Sequence, residues 1–134
     1  MILITGGAWQ GKYAYALKLA GIEENGQDEQ ENDTAADGRL DPYETAYRRP
    51  IIRGFHEFVR RILAEGSDPE EFIDRIVRQN PDVIITSDEV GCGIVPVSKA
   101  DRIWREACGR AQARLAAESS CVYRMVCGIP QRLK

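Results

Sequence analysis

A strand that feeds straight into a glycine-rich loop opens this chain, and nothing else in the sequence restricts its fold as much. Ile2, Leu3, Ile4 and Thr5 are apolar or β-branched at consecutive positions. That is the pattern of a strand covered on both faces, as in a parallel sheet. Gly6-Gly7-Ala8-Trp9-Gln10-Gly11-Lys12-Tyr13 follows and satisfies G-x-x-x-x-G-K. The glycines let the backbone wrap a phosphate with several N–H groups pointing inward. The next helix adds its positive end, and the lysine adds a full charge. From Lys12 to Ala20 the pattern turns helical, with Ala16, Leu17, Leu19 and Ala20 available to face the sheet and Gly21 as a stop. Residues Gly6 to Tyr13 are therefore predicted to bind nucleotide phosphates. The eighth position departs from the usual pattern. Ser or Thr there places a hydroxyl on magnesium, whereas Tyr13 carries its hydroxyl far out on a rigid ring. Trp9, in the middle of the loop, is placed either to stack on a base or to plug the site.

The next stretch has the opposite character. Glu23 to Gly38 holds seven carboxylates and no Lys or Arg. It cannot bury enough surface to offset its chain entropy. We expect a solvated, disordered acidic loop over about residues 23–48, either an inert insertion or a mobile lid. Regular patterns return at Pro50-Ile51-Ile52, read as a short strand. Phe55, Phe58, Val59, Ile62 and Leu63 then follow helical spacing up to Gly66. Ser67 and Glu70 have capping-box spacing with Pro69 in the first turn, and Phe72, Ile73, Ile76 and Val77 make the apolar face of that next helix. Asp82 to Ser87 reads as a core strand. Ser98 to about Ser119 is the longest helix, with Ser98 and Asp101 again at capping-box spacing. Cys121 to Cys127 is read as the last strand, followed by a basic tail. Four strands alternating with helices predict a parallel sheet covered on both faces.

Composition excludes several classes. A hydrophobic fraction of 43% supports one core, but no apolar run approaches the ~18 residues of a membrane span. A formal charge of −3 argues against a nucleic-acid partner. The start of the chain has no basic leader, so a cytoplasmic protein is expected. Cys92, Cys108, Cys121 and Cys127 form no C-x-x-C pair, and His56 is the sole histidine. Reduced, mostly buried thiols are expected rather than disulfides or zinc.

One string carries a specific resemblance. Thr86-Ser87-Asp88-Glu89-Val90-Gly91-Cys92-Gly93-Ile94-Val95-Pro96, taken with Met1 to Ala8, Gly109 to Ala116 and Val126 to Lys134, resembles the bifunctional adenosylcobinamide kinase and adenosylcobinamide-phosphate guanylyltransferase family of cobalamin synthesis. The similar stretches are residues 1–20 and 82–134. The resemblance implies a P-loop NTPase-like three-layer sandwich with a mostly parallel, reduced sheet, and the length of 134 residues predicts a single domain over 1–134. It further implies phosphorylation of the adenosylcobinamide hydroxyl, GMP transfer through a guanylylated histidine, ATP or GTP as co-substrate, magnesium and a trimeric homo-oligomer. Carried over, Lys12 stabilises charge, and Asp88 and Glu89 fall on an Asn-Glu pair, as candidate metal ligands and, for Glu89, a catalytic acid. Three positions depart from the family pattern. Tyr13 replaces the loop hydroxyl. Arg53 stands where an apolar strand ends in an acid, and is a candidate phosphate contact instead. No histidine occupies the H-x-x-x-R-P region. His56 is either an ordinary helix-start histidine, a ligand contact or a displaced nucleophile. The functional expectation is a nucleotide-dependent enzyme in which kinase-type phosphoryl transfer is better supported than guanylyl transfer. The alternative is a catalytically degenerate nucleotide or corrinoid binder that regulates or assembles with a partner.

Overall fold

The computed structural model describes residues 1–22, 34–91 and 98–134. The elements run β1 (Ile2–Gly6), α1 (Lys12–Ala20), β2 (Ala35–Asp37), a 3-10 turn (Tyr43–Tyr47), β3 (Ile51–Arg53), α2 (Phe55–Ala64), α3 (Pro69–Gln79), β4 (Ile84–Asp88), α4 (Lys99–Glu118), β5 (Cys121–Val126) and β6 (Ile129–Arg132). They build a six-stranded sheet in the order β2-β3-β4-β1-β5-β6. All pairings are parallel except β5 with β6.

Strand alternation explains why both faces are covered. Leu3, Ala36, Ile52, Ile85 and Val122 point to one face, where they join Phe55, Phe58, Val59, Phe72, Ile73, Ile76 and Leu115 from α2, α3 and α4. Ile4, Ala35, Ile51, Ile84 and Met125 point to the other and pack against Ala16 and Leu17 of α1. Neighbouring residues of one strand thus enter different cores, as a period of two requires. Fully burying an Ile, Leu or Phe contributes roughly 1.5–3 kcal/mol each, so the larger core dominates stability. Among the described residues no helix is long and apolar enough to cross a membrane.

The strand count corrects the sequence expectation of four. Ala35–Asp37 pairs in register with Ile51–Arg53, and Ala36 is fully buried. The expected disorder therefore fails over 34–48, whereas residues 23–33 lie outside the described residues. Two short alanines suffice because β3 supplies the ladder and the 3-10 turn packs against them. Close packing fixes the end of this strand, since a Cβ on Gly38 would lie 2.2 Å from the carbonyl oxygen of Gly54. Further on, Arg49 binds Asp41 at 2.6 Å and the Ala35 carbonyl at 2.8 Å, and Arg61 donates to the Gly38 and Asp41 carbonyls. These cations supply the order that the acidic composition alone could not.

The basic tail is also structured. Val126 pairs with Ile129 across a two-residue turn, and both turn residues have positive φ, 50° at Cys127 and 78° at Gly128. That is the geometry of a tight hairpin. The α3 cap is Asp68, whose side chain accepts from the Glu70 amide, not Ser67. Ser98 caps α4 as its spacing indicates, accepting from the Asp101 amide.

Candidate functional site

The parallel strands β1, β2, β3 and β4 end at Gly6, Asp37, Arg53 and Asp88, on one edge of the sheet. Ligand crevices in open α/β sheets form at this edge. A cavity of about 350 Å³ lies there, lined by the loop residues Ala8 to Ala14 together with Asp37, Arg39, Arg53, Gly54, His56, Glu57, Thr86 and Asp88.

The loop leaves β1 tightly packed. Gly6 has φ 142°, and a Cβ there would sit 2.6 Å from the Met125 carbonyl oxygen, so a side chain is excluded both by space and by backbone conformation. Gln10 accepts from the Cys127 amide, which ties the loop to the end of β5. Gly11, at φ 82°, leads into α1, whose first turn carries no acidic side chain. Its positive end therefore stays available for an anion. Trp9 is 98% exposed with φ 61°. It stands out from the loop, so the plugging alternative does not describe this structure. Left-handed backbone at a bulky residue is strained.

Lys12 is buried, at 8% exposure. Its amine donates to the Gly7 carbonyl at 2.5 Å and pairs with Asp88 at 2.7 Å. Asp88 also meets His56, whose Nδ1 accepts from the Asp88 amide at 3.0 Å while Nε2 lies 3.5 Å from the carboxylate. An accepting Nδ1 places the proton of the neutral ring on Nε2. The His56 carbonyl accepts from the Trp104 indole at 2.8 Å. Cys108 reaches the same carbonyl at 3.9 Å, and burial pushes its thiol up to about 12. The expectation of mostly buried thiols holds for Cys108 but not for Cys127, which is exposed; Cys121 is intermediate, and Cys92 lies outside the described residues.

Of the predicted site residues, Lys12, His56, Asp88, Arg53 and Ala8 to Tyr13 gather around this cavity. Glu89 turns elsewhere: it accepts from Thr5 at 2.9 Å and from Arg124 through two bonds of 2.9 Å. The adjacent carboxylates of Asp88 and Glu89 are thus held by different cations. Among the described residues, no group of three His, Cys, Asp or Glu side chains is placed to hold a metal ion. Sequence reasoning did not single out Arg39, Glu57 or Thr86. Arg39 sat in the stretch expected to be disordered. Thr86 looked like a strand residue, yet it accepts from the Gly54 amide and donates to the Ile52 carbonyl, both at 3.2 Å.

Burial is the main cause that lowers the His56 pKa from its ordinary 6.5. Lys12 and Arg39 add to it, against Asp88 and Glu57. As pH falls below 6.5 the unfolded chain takes up this proton before the folded one. The histidine therefore subtracts stability on the acid side and is neutral above pH 6.5. With a single histidine in the chain, one imidazole proton signal reports it. Its NMR titration midpoint is expected below 6.5; a midpoint at or above 6.5 would contradict the burial described here.

Fold and site together define an α/β protein with a glycine-rich, lysine-bearing loop at the C-terminal edge of a mostly parallel sheet. Residues 61–133 match the model of the cobinamide kinase / cobinamide phosphate guanyltransferase family, and the chain belongs to that family. The match begins within α2 and does not include the loop. Over 52 residues the chain is 40% identical to the bifunctional adenosylcobalamin biosynthesis protein CobU of Escherichia coli (strain K12), and equally to its namesake from Salmonella typhimurium (strain LT2). These alignments cover 39% of this chain and 29% of each relative.

Proposed function

We propose that this chain binds ATP or GTP on the Gly6–Tyr13 loop and transfers the terminal phosphoryl group to the side-chain hydroxyl of adenosylcobinamide. The observation that carries the reading is Lys12, a buried amine at the base of an anion-shaped loop, facing the cavity beside Asp88. The loop amides and Lys12 hold the β and γ phosphates and offset the charge that builds as the bridging bond breaks. The substrate hydroxyl oxygen forms the new bond to phosphorus, the nucleoside diphosphate leaves, and the hydroxyl proton passes to the Asp88 carboxylate. Glu89, fixed by Arg124 and Thr5, is less suited to that role.

Kinase chemistry is better supported than guanylyl transfer. The His56 Nδ1 lone pair is engaged by the Asp88 amide, and Nε2 carries the proton, so neither nitrogen is a ready nucleophile. Tyr13 and Arg53 favour the second reading, a binder without turnover. The same proposal extends to one domain over residues 1–134, a homo-oligomer, a trimer by the family resemblance, and a cytoplasmic setting. The test is calorimetry with ATP and GTP followed by a diphosphate-release assay with adenosylcobinamide. Binding with release supports the kinase, binding without release supports the regulator, and no binding of either nucleotide overturns the kinase and leaves only a corrinoid binder.

A further inference from the structure

Three cations line the cavity, and they are not equivalent. Lys12 is paired with Asp88 at 2.7 Å and Arg39 with Glu57 at 3.4 Å. Arg53 has no carboxylate partner among the described residues. Its guanidinium carbon instead lies 4.6 Å from the centre of the Tyr13 ring. Tyr13 follows Lys12 directly, at the first turn of α1, and Arg53 ends β3. The two positions that would supply a hydroxyl and a carboxylate to magnesium therefore hold a phenol ring and a cation resting on it. This donor set does not fit a divalent ion.

The geometry points to Arg53, held on Tyr13, as a fixed second cation for the ligand's phosphates, standing in for a metal ion. The inference rests on the phosphate-loop reading above. A guanidinium stacked on a ring keeps its N–H edge free, and that edge suits two phosphate oxygens at once. The ring spares Arg53 part of the ordering that binding would otherwise demand. Lys12 and Arg53 then flank the loop as a two-point clamp whose charge is permanent.

The experiment titrates inorganic tripolyphosphate, and separately ATP and GTP, into the full chain with magnesium or with EDTA. Wild-type affinity for tripolyphosphate is expected to change by less than about threefold between the two conditions. Arg53→Ala is expected to weaken it roughly tenfold in EDTA. The double variant Tyr13→Ser with Arg53→Asp, which puts back both oxygen donors, is expected to bind only with magnesium. Binding by wild type that collapses in EDTA overturns the clamp while leaving the nucleotide reading intact. Tripolyphosphate bound without magnesium, with neither nucleotide bound, keeps the clamp and removes the nucleotide reading. An Arg53→Ala variant as tight as wild type in EDTA, or a double variant that stays indifferent to magnesium, overturns the clamp. No binding of any of the three probes overturns both.

Discussion

Lys12→Ala is expected to cost about 2–4 kcal/mol of nucleotide binding, as losing a charged donor in a partly buried site does. The variant removes more than one contact. Lys12 bridges the Gly7 carbonyl and the Asp88 carboxylate, so its loss leaves Asp88 beside His56 without its nearest cation. Added negative charge beside an incoming phosphate then compounds the lost attraction. The pair Asp88→Asn separates these contributions. If Asp88 competes with phosphate for the amine, Asp88→Asn tightens ligand binding, and the double variant loses less than Lys12→Ala alone. Calorimetry on the four proteins gives the cycle and its coupling energy. Affinity of Lys12→Ala within a factor of about three of wild type would remove Lys12 from the site.

The second large effect concerns stability. Phe72 reaches from α3 into a cluster of four aromatic rings, with centroid distances of 5.7 Å to Tyr43, 5.6 Å to Tyr47, 6.2 Å to Phe55 and 5.3 Å to Phe58. It joins the 3-10 turn, α2 and α3, which are also linked by Arg61 over the Tyr43 ring at 4.8 Å and Arg75 over the Tyr47 ring at 4.4 Å. Phe72→Ala is expected to lose about 3–5 kcal/mol, since surrounding rings cannot all collapse into the vacated space. Urea unfolding followed by far-UV dichroism measures the change. A loss below about 1 kcal/mol would mean that the cluster repacks and that Tyr43 and Tyr47 are held by other means. The ligand cavity does not include Phe72, so phosphate affinity in the folded variant should stay near that of the parent.

How much of this was legible in the sequence depended on whether each element carried its own signal. β1, β4 and the helices did, because period and apolar content act within a single segment. α2 and α3 were readable from their stripes, and Ser98 from its cap. β2 was not readable. Ala35 and Ala36 have little intrinsic preference for a strand, and their conformation comes from pairing with Ile51 and Ile52. Such tertiary dependence is ordinary for strands. β6 is exposed along its whole length and includes Pro130, so no alternation marked it; its one local cue was Gly128 in a turn. At the site, the loop was visible because its chemistry lies in consecutive residues. The convergence of Asp37, Arg39, His56 and Asp88 was hidden, because it depends on the order in which strands lie side by side. Arg53 was picked out by its departure from a pattern, yet its partner ring followed only from the fold.

The two tryptophans of this chain sit in different surroundings, one exposed and one half-buried, and that makes the molecule its own optical instrument. Trp9 stands in water at the lip of the phosphate loop, while Trp104 bonds the His56 carbonyl from α4 and lies under Arg60, whose guanidinium carbon is 4.8 Å from its ring centre. Iodide or acrylamide in solution reaches the first indole freely and the half-buried second one less readily. A molecule seated on the loop would shield the exposed emitter, and a displacement of α4 would perturb the sheltered one. Occupancy and helix motion can thus be followed as separate colours of the same intrinsic emission, without attaching a dye.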